Sequence, residues 1–181
     1  MIEKDFLVIA ITSPGIVDNE ATKIVDLLRK READIVHIRK PDWDLDMTKN
    51  LLDKIPASYH GYIKIHDNFE LLEKYKRLRG VHLNSRNPEF QNKGFKMSKS
   101  LHSLEELNKI TDYEKFEYLT LSPIFDSISK KNYKGNFDLI ELKKHIFNKR
   151  IVALGGVTPD QFDLLKKTGF AGAAMLGYFW N

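Results

Sequence analysis

Eight short apolar runs recur along the chain, each separated from the next by an amphipathic or polar stretch, and this alternation limits the possible folds more than any other feature. The runs fall at 6–11 (FLVIAI), 35–38, 62–65, 80–83, 95–98, 118–121, 151–154 and 171–176. Most are apolar at successive positions, as expected of parallel strands covered on both faces. Helix signals stand between them. Asn19 can cap a helix to Lys30, and Asp42 or Asp44 can open one to about Lys54, ended by Pro56. Further helical patterns follow at 69–75, from Ser103, and at 137–147, and Thr158-Pro159-Asp160 is a helix start. The stretch 84–94 carries no clear helix pattern. The expectation is an α/β chain forming one small (β/α)8 TIM barrel over 1–181. An open doubly wound sheet fits less well, because Thr12-Ser13-Pro14-Gly15 follows the first strand in place of a Gly-x-Gly-x-x-Gly turn. The sequence stops just after the eighth strand, so the last helix is expected to be missing or truncated to Tyr178-Phe179-Trp180. Those aromatics would then need cover from the barrel's own flank or from a second subunit.

Composition removes several classes of function. The 181 residues include no cysteine, which excludes disulfides, cysteine–zinc sites, iron–sulfur clusters and thiol catalysis. Lys and Arg number 29 against 25 Asp and Glu, with the signs mixed along the chain and no dense basic stripe. No nucleic-acid partner is expected. No apolar run approaches the roughly 20 residues of a membrane span, and the start lacks a signal-peptide pattern, so the expected setting is cytoplasmic with no membrane partner.

In a barrel of this kind the chemistry sits where the strands end. Those ends hold Thr12 and Ser13; His37, Arg39 and Lys40; His66 and Asp67; Asn84 and Ser85; Ser100 and His102; Ser122; and Gly155, Gly156 and Gly177. Gly155-Gly156 lies between a strand and a helix start, where bare backbone N–H groups can approach an anion, and Gly177 would face the same spot. The bland reading is a tight turn. Arg39 suits bidentate contact with phosphate or carboxylate. Ser127, Ser129 and Lys130 could wrap phosphate oxygens or simply form a solvated loop. For His37 a ligand contact and a barrel-interior position are equally acceptable, His82 reads as core, and His60 and His145 read as surface. Asp67 could hold a metal or orient His66. A transition-metal set of His37, His66, Asp67 and His82 has no supporting spacing.

Taken in order, seven motifs resemble the thiamine phosphate synthase/TenI family. They are Val36-His37-Ile38-Arg39, Ile65-His66-Asp67, Gly80-Val81-His82-Leu83, Ser100-Leu101-His102-Ser103-Leu104-Glu105-Glu106, Ser122-Pro123-Ile124-Phe125 with Ser127-x-Ser129-Lys130, Ala153-Leu154-Gly155-Gly156-Val157-Thr158-Pro159, and Gly172-Ala173-Ala174-Met175. The resemblance implies a barrel, usually a homodimer, that binds a small-molecule thiazole phosphate at Gly155, Gly156 and Gly177. It implies two activities. Closest in motif detail is a TenI-like thiazole tautomerase, which needs no cofactor. There His102 would transfer the proton, with His37, Arg39, His66 and Ser100 at the substrate. The alternative is a thiamine phosphate synthase, which joins hydroxymethylpyrimidine diphosphate to thiazole phosphate and releases diphosphate. That reaction implies Mg2+ at Asp67, with Arg39, Ser127, Ser129 and Lys130 at the diphosphate. The family's Gln, Arg and Lys after the second strand become His37, Arg39 and Pro41, and its second metal-binding Asp aligns with Asn87. A third reading is a regulatory barrel that binds the phosphate without turnover.

Overall fold

The computed structural model describes residues 6–91, 94–126, 137–146 and 150–180. Eight parallel strands close into a barrel in sequence order. They are β1 (Leu7–Ile11), β2 (Ile35–Ile38), β3 (Ile63–Ile65), β4 (Gly80–Leu83), β5 (Lys96–Leu101), β6 (Phe116–Leu121), β7 (Ile151–Leu154) and β8 (Gly172–Met175), and β8 pairs with β1. This is the expected (β/α)8 fold, trimmed. Helices α1 (Glu20–Arg29), α2 (Leu45–Asp53), α3 (Leu104–Lys109), α4 (Leu139–Ile146) and α5 (Phe162–Thr168) follow β1, β2, β5, β6 and β7. After β3 there is only a 3-10 turn, Phe69–Glu73, in place of the expected helix. After β8 the chain makes one turn, α6 (Gly177–Trp180). Phe179 is buried in the main core, Trp180 is half-buried under the Lys23 ammonium, and Tyr178 is 54% exposed. The barrel's own flank therefore supplies most of the cover that these aromatics need.

Local chemistry explains several boundaries. Asp44 accepts the Met47 N–H at 2.8 Å and starts α2, and Ser103 accepts the Glu106 N–H at 3.1 Å and starts α3. Gln161 accepts the Thr158 N–H at 2.9 Å, with Pro159 in the first turn. Asn19 precedes α1 in a left-handed conformation without a side-chain cap, contrary to expectation. A buried ion pair ties α1 to β2 instead. Lys40 Nζ lies 2.7 Å from Glu20, donates to the Gly15 carbonyl at 2.6 Å and rests on the Trp43 ring. Burial raises the Glu20 pKa, and Lys40 opposes that shift.

The barrel interior is divided. On one side β1, β7, β8 and the start of β2 contribute Leu7, Ile9, Ile11, Ile35, Val152 and Ala174. On the other side β2 to β6 contribute polar groups that are just as buried: His37, Lys64, His66, His82, Ser98 and Thr120. At the base of this polar half, Lys64 Nζ lies 3.3 Å from Glu117 and donates to the Lys96 carbonyl at 3.1 Å. The β5–β6 register skips Glu117, pairing Met97 with Phe116 and Ser98 with Tyr118. This irregularity sets Glu117 among Lys64, Arg79 and Lys96. Burial pushes Lys64 down to about 7 despite Glu117. Burial alone would raise Glu117, but the Arg79 hydrogen bonds and the Lys64 charge outweigh it and hold the carboxyl at about 2.

Candidate active site at the barrel mouth

A buried layer of imidazoles supports the mouth on the β2–β5 side. His66 Nε2 lies 2.9 Å from His37 Nδ1, and His37 Nε2 lies 2.6 Å from the Tyr118 hydroxyl. His82 bonds Ser98 at 2.9 Å through Nδ1 and Ser100 at 2.7 Å through Nε2. Burial drives His37 and His66 well below the usual histidine range, aided by the neighbouring His82. Burial, then Lys64, lowers His82 to about 3. The rings are neutral, so each has one donor and one acceptor nitrogen, which is what a chain of hydrogen bonds requires. The three rings form the one histidine cluster with metal-ligand proximity among the described residues. Five of their six nitrogens are committed to protein partners, so the cluster reads as a hydrogen-bonded layer.

This placement corrects several expectations. His37 has no solvent exposure and no free ring nitrogen, so it takes the barrel-interior position and supports the mouth from beneath. Ser100 likewise spends its hydroxyl on His82 and lies 3.4 Å from Thr120. His60 is buried, with Nε2 3.0 Å from the Ile55 carbonyl, and is not a surface residue. Lys40 is consumed by Glu20. Ser127, Ser129 and Lys130 lie outside the described residues.

Above the imidazoles, the ends of β2, β3 and β4 assemble a polar edge. The Thr12 hydroxyl accepts the Arg39 N–H at 2.9 Å and fixes where that residue leaves β2. Arg39 is half-buried. Burial lowers its pKa first, then the nearby Arg86 guanidinium, while Asp67 and Asp42 oppose. Arg86 is held by a turn that Asn84 organises. The Asn84 carboxamide oxygen accepts the backbone N–H groups of Arg86 (2.9 Å) and Asn87 (3.2 Å), and the side-chain Nδ2 atoms of Asn84 and Asn87 each donate to the His66 carbonyl at 3.1 Å. Asn87 Nδ2 also donates to Asp67 Oδ1 at 2.9 Å, and Arg86 Nη2 reaches the two Asp67 oxygens at 3.1 and 3.3 Å. Asp67 thus answers to Arg86 and Asn87, and the expected orienting bond to His66 is not what holds it. Arg86 was not legible as a site residue. Its only sequence signal is Asn84, a residue that favours such turns.

These residues do not fit a divalent metal at Asp67. A hard cation needs free carboxylate oxygens, usually from one or two acids together with substrate phosphate. Here one carboxylate faces a guanidinium, and the second acid is replaced by an amide that donates to the first.

Across the mouth, Gly155 and Gly156 follow β7 with φ of 91° and 65°. A Cβ on Gly156 would lie 2.2 Å from the Asp126 carbonyl, and one on Gly155 would lie 2.8 Å from Pro123 Cα. Glycine is needed here because the segment after β6 lies on the turn, with Ile124 N–H donating to the Leu154 carbonyl and Phe125 N–H to that of Gly155. Packing therefore accounts for these glycines by itself. Among the described residues, the N–H groups of Gly156 and Gly177 have no backbone acceptor outside the regular elements, which leaves them suited to an anion. His102 stands at the end of β5, exposed, with Nδ1 3.2 Å from the Ser122 hydroxyl and its N–H donated to Glu106 at 2.6 Å.

Known proteins share this architecture. A solved structure described as a thiamine phosphate pyrophosphorylase from Bacteroides thetaiotaomicron is 34% identical, with a TM-score of 0.81 over 97% of this chain and 85% of that one. Another of the same description, from Pyrococcus furiosus, is 18% identical, with a TM-score of 0.74 over 97% and 88%. The (S)-3-O-geranylgeranylglyceryl phosphate synthase of Thermoplasma acidophilum, 9% identical with a TM-score of 0.58 over 97% and 87%, is similar in fold alone. No curated protein matches the chain. The family model described as thiamine monophosphate synthase matches residues 8–178, from β1 into α6, and the chain accordingly belongs to that thiamine phosphate synthase/TenI family of thiamine biosynthesis.

Proposed function

We propose that the protein is a thiamine phosphate synthase, joining a pyrimidine methyl diphosphate to a thiazole phosphate. In that reaction the carbon–oxygen bond to diphosphate breaks, its electron pair leaves on diphosphate, and the thiazole nitrogen forms the new carbon–nitrogen bond. The observation that carries the reading is the 34% identity to a thiamine phosphate pyrophosphorylase over 97% of this chain, and a pair of anion-suited positions on opposite sides of one mouth agrees with it. Arg39 and Arg86 stand at the ends of β2 and β4, and the Gly155–Gly156 turn and Gly177 stand after β7 and β8. Two phosphorylated substrates would fill both positions; the thiazole carboxylate phosphate of a tautomerase, with a carboxylate besides its phosphate, would fill them as well.

The tautomerase reading rests on His102 beside Ser122. An imidazole that shuttles a substrate proton works best shielded from water, and His102 is exposed. The deciding experiment supplies the chain with both substrate sets. Formation of thiamine phosphate with one diphosphate released per turnover supports the proposal. Aromatisation of the thiazole carboxylate phosphate, lost in His102→Ala, without condensation would overturn it. Binding of thiazole phosphate with neither reaction would leave the regulatory reading.

A further inference from the structure

We infer that the Arg86 guanidinium does the work of a divalent cation at this mouth, so that the chain holds a diphosphate group without magnesium. The inference rests on the reading of the β2–β4 edge as a diphosphate position. Three observations support it independently of any activity. First, Asp67 is only 15% exposed at its side chain, and Arg86 and Asn87 occupy its oxygens. Its charge is neutralised by the protein and leaves no unmet demand for an ion. Second, Asn87 is oriented by two acceptors, the His66 carbonyl and Asp67, so its NH2 group must point at both. A carboxylate at that position would set two acids against each other and call for a cation, whereas the amide removes that need. Third, Arg86 is not a loose surface side chain at its root. Its own N–H is bonded to Asn84, whose amide is anchored on His66, so the guanidinium is delivered from a fixed turn.

The geometry of the guanidinium donors makes the site suitable for an anion. Arg39 and Arg86 stand beside Asp67, with Asp42 also near Arg39, and each guanidinium plane presents a fork of donors matched to phosphoryl oxygens. Arg86 makes its Asp67 contacts through Nη2, and 41% of its side chain remains open to solvent. An incoming diphosphate can meet the rest of the fork without breaking the pair. Asp67 then acts as a positioning residue, which aims Arg86 as it would otherwise have held the metal.

The test is calorimetric titration of the whole chain with inorganic pyrophosphate, once in EDTA and once in excess magnesium. Wild type is expected to bind in EDTA. Arg86→Ala should weaken that binding by about 10- to 100-fold, the scale of one charge-assisted pair. The double variant Arg86→Ala/Asn87→Asp should recover binding only when magnesium is added, a gain that loss of folding would not produce. Wild-type binding that vanishes in EDTA, an Arg86→Ala variant that binds as wild type does, or no binding in either buffer would overturn the inference. Failure of the proposed function is separable. Pyrophosphate binding in EDTA without condensation would sink that function alone, and condensation that stops in EDTA would sink this inference alone.

Discussion

The imidazole layer makes folding stability depend on pH in a way that can be worked out. His37, His66 and His82 are buried and neutral, with pKa values pushed below the ordinary 6.5 by burial. In the unfolded chain each returns to that value and takes up a proton as the pH falls. A group with a depressed folded pKa and a cationic acid form binds fewer protons when folded. Stability is therefore present above the unfolded pKa and is lost as pH drops below it. Between about pH 7.0 and pH 5.5 each ring costs roughly 1.2 kcal/mol, so the three together cost roughly 4 kcal/mol, a large part of the 5–15 kcal/mol typical of a domain. Lys64 adds a few tenths of a kcal/mol in the same direction near its value of about 7. Glu117, held at about 2, contributes its loss only below the ordinary carboxylate range and leaves this window undisturbed. The assay is urea unfolding at several pH values, with the slope of stability against pH giving the protons taken up on unfolding. Between two and three protons are expected near pH 5.5, and His82→Asn should remove about one of them. A stability change under about 1 kcal/mol across the window would mean that the rings are charged or wet in the folded state, and the enclosed layer would then be refuted.

Other perturbations test other parts of the structure. Lys40→Met strands Glu20 in the core and should cost about 3–5 kcal/mol at neutral pH by urea denaturation. The cost should shrink on mild acidification, because Glu20, already raised by burial, can then protonate. Gly156→Ala drives a methyl group to within 2.2 Å of the Asp126 carbonyl from a left-handed backbone, so the segment after β6 must move. Thiazole phosphate binding should weaken at least about tenfold, with unchanged secondary structure by circular dichroism. Asn68→Ala removes an amide that donates to the Trp43 and Asp44 carbonyls and to the Thr48 hydroxyl, and should lower stability by about 1–3 kcal/mol with no effect on pyrophosphate affinity.

The strands were legible because a parallel strand covered on both faces must be apolar at successive positions, as in Ile9-Ala10-Ile11 and Ile151-Val152-Ala153. Helix starts were legible where a side chain caps them, at Asp44, Ser103 and Thr158. They were misread where something else closed the turn, since Asn19 adopts a left-handed conformation and α1 is held by the Glu20–Lys40 pair. That pair joins residues 20 apart on different elements, and no local pattern announces it. The same limit applies at the site. Arg39, Asp67 and the two glycines sit at strand ends and could be named one by one. Arg86 matters through Asp67, 19 residues away across β4, and the charge in its sequence neighbourhood does not distinguish it from a solvated arginine.

The division of the barrel interior explains why the two anion positions differ in kind. Beneath Gly155, Gly156 and Gly177 the strands present Val152, Leu154, Ala174 and Leu176, with no charge to offer, so an anion there must be met by backbone N–H groups. Beneath Arg39 and Arg86 the strands present neutral imidazoles and hydroxyls. These stiffen Asp67 and its turn through the His66 carbonyl without adding a competing positive charge close by. The depressed pKa values of that layer are what keep it neutral. Were His66 protonated, its charge would sit one residue from Asp67 and compete with Arg86 for the same carboxylate. Neutral histidines below and fixed guanidiniums above thus belong to one arrangement, in which charge is concentrated at the rim where a diphosphate would arrive.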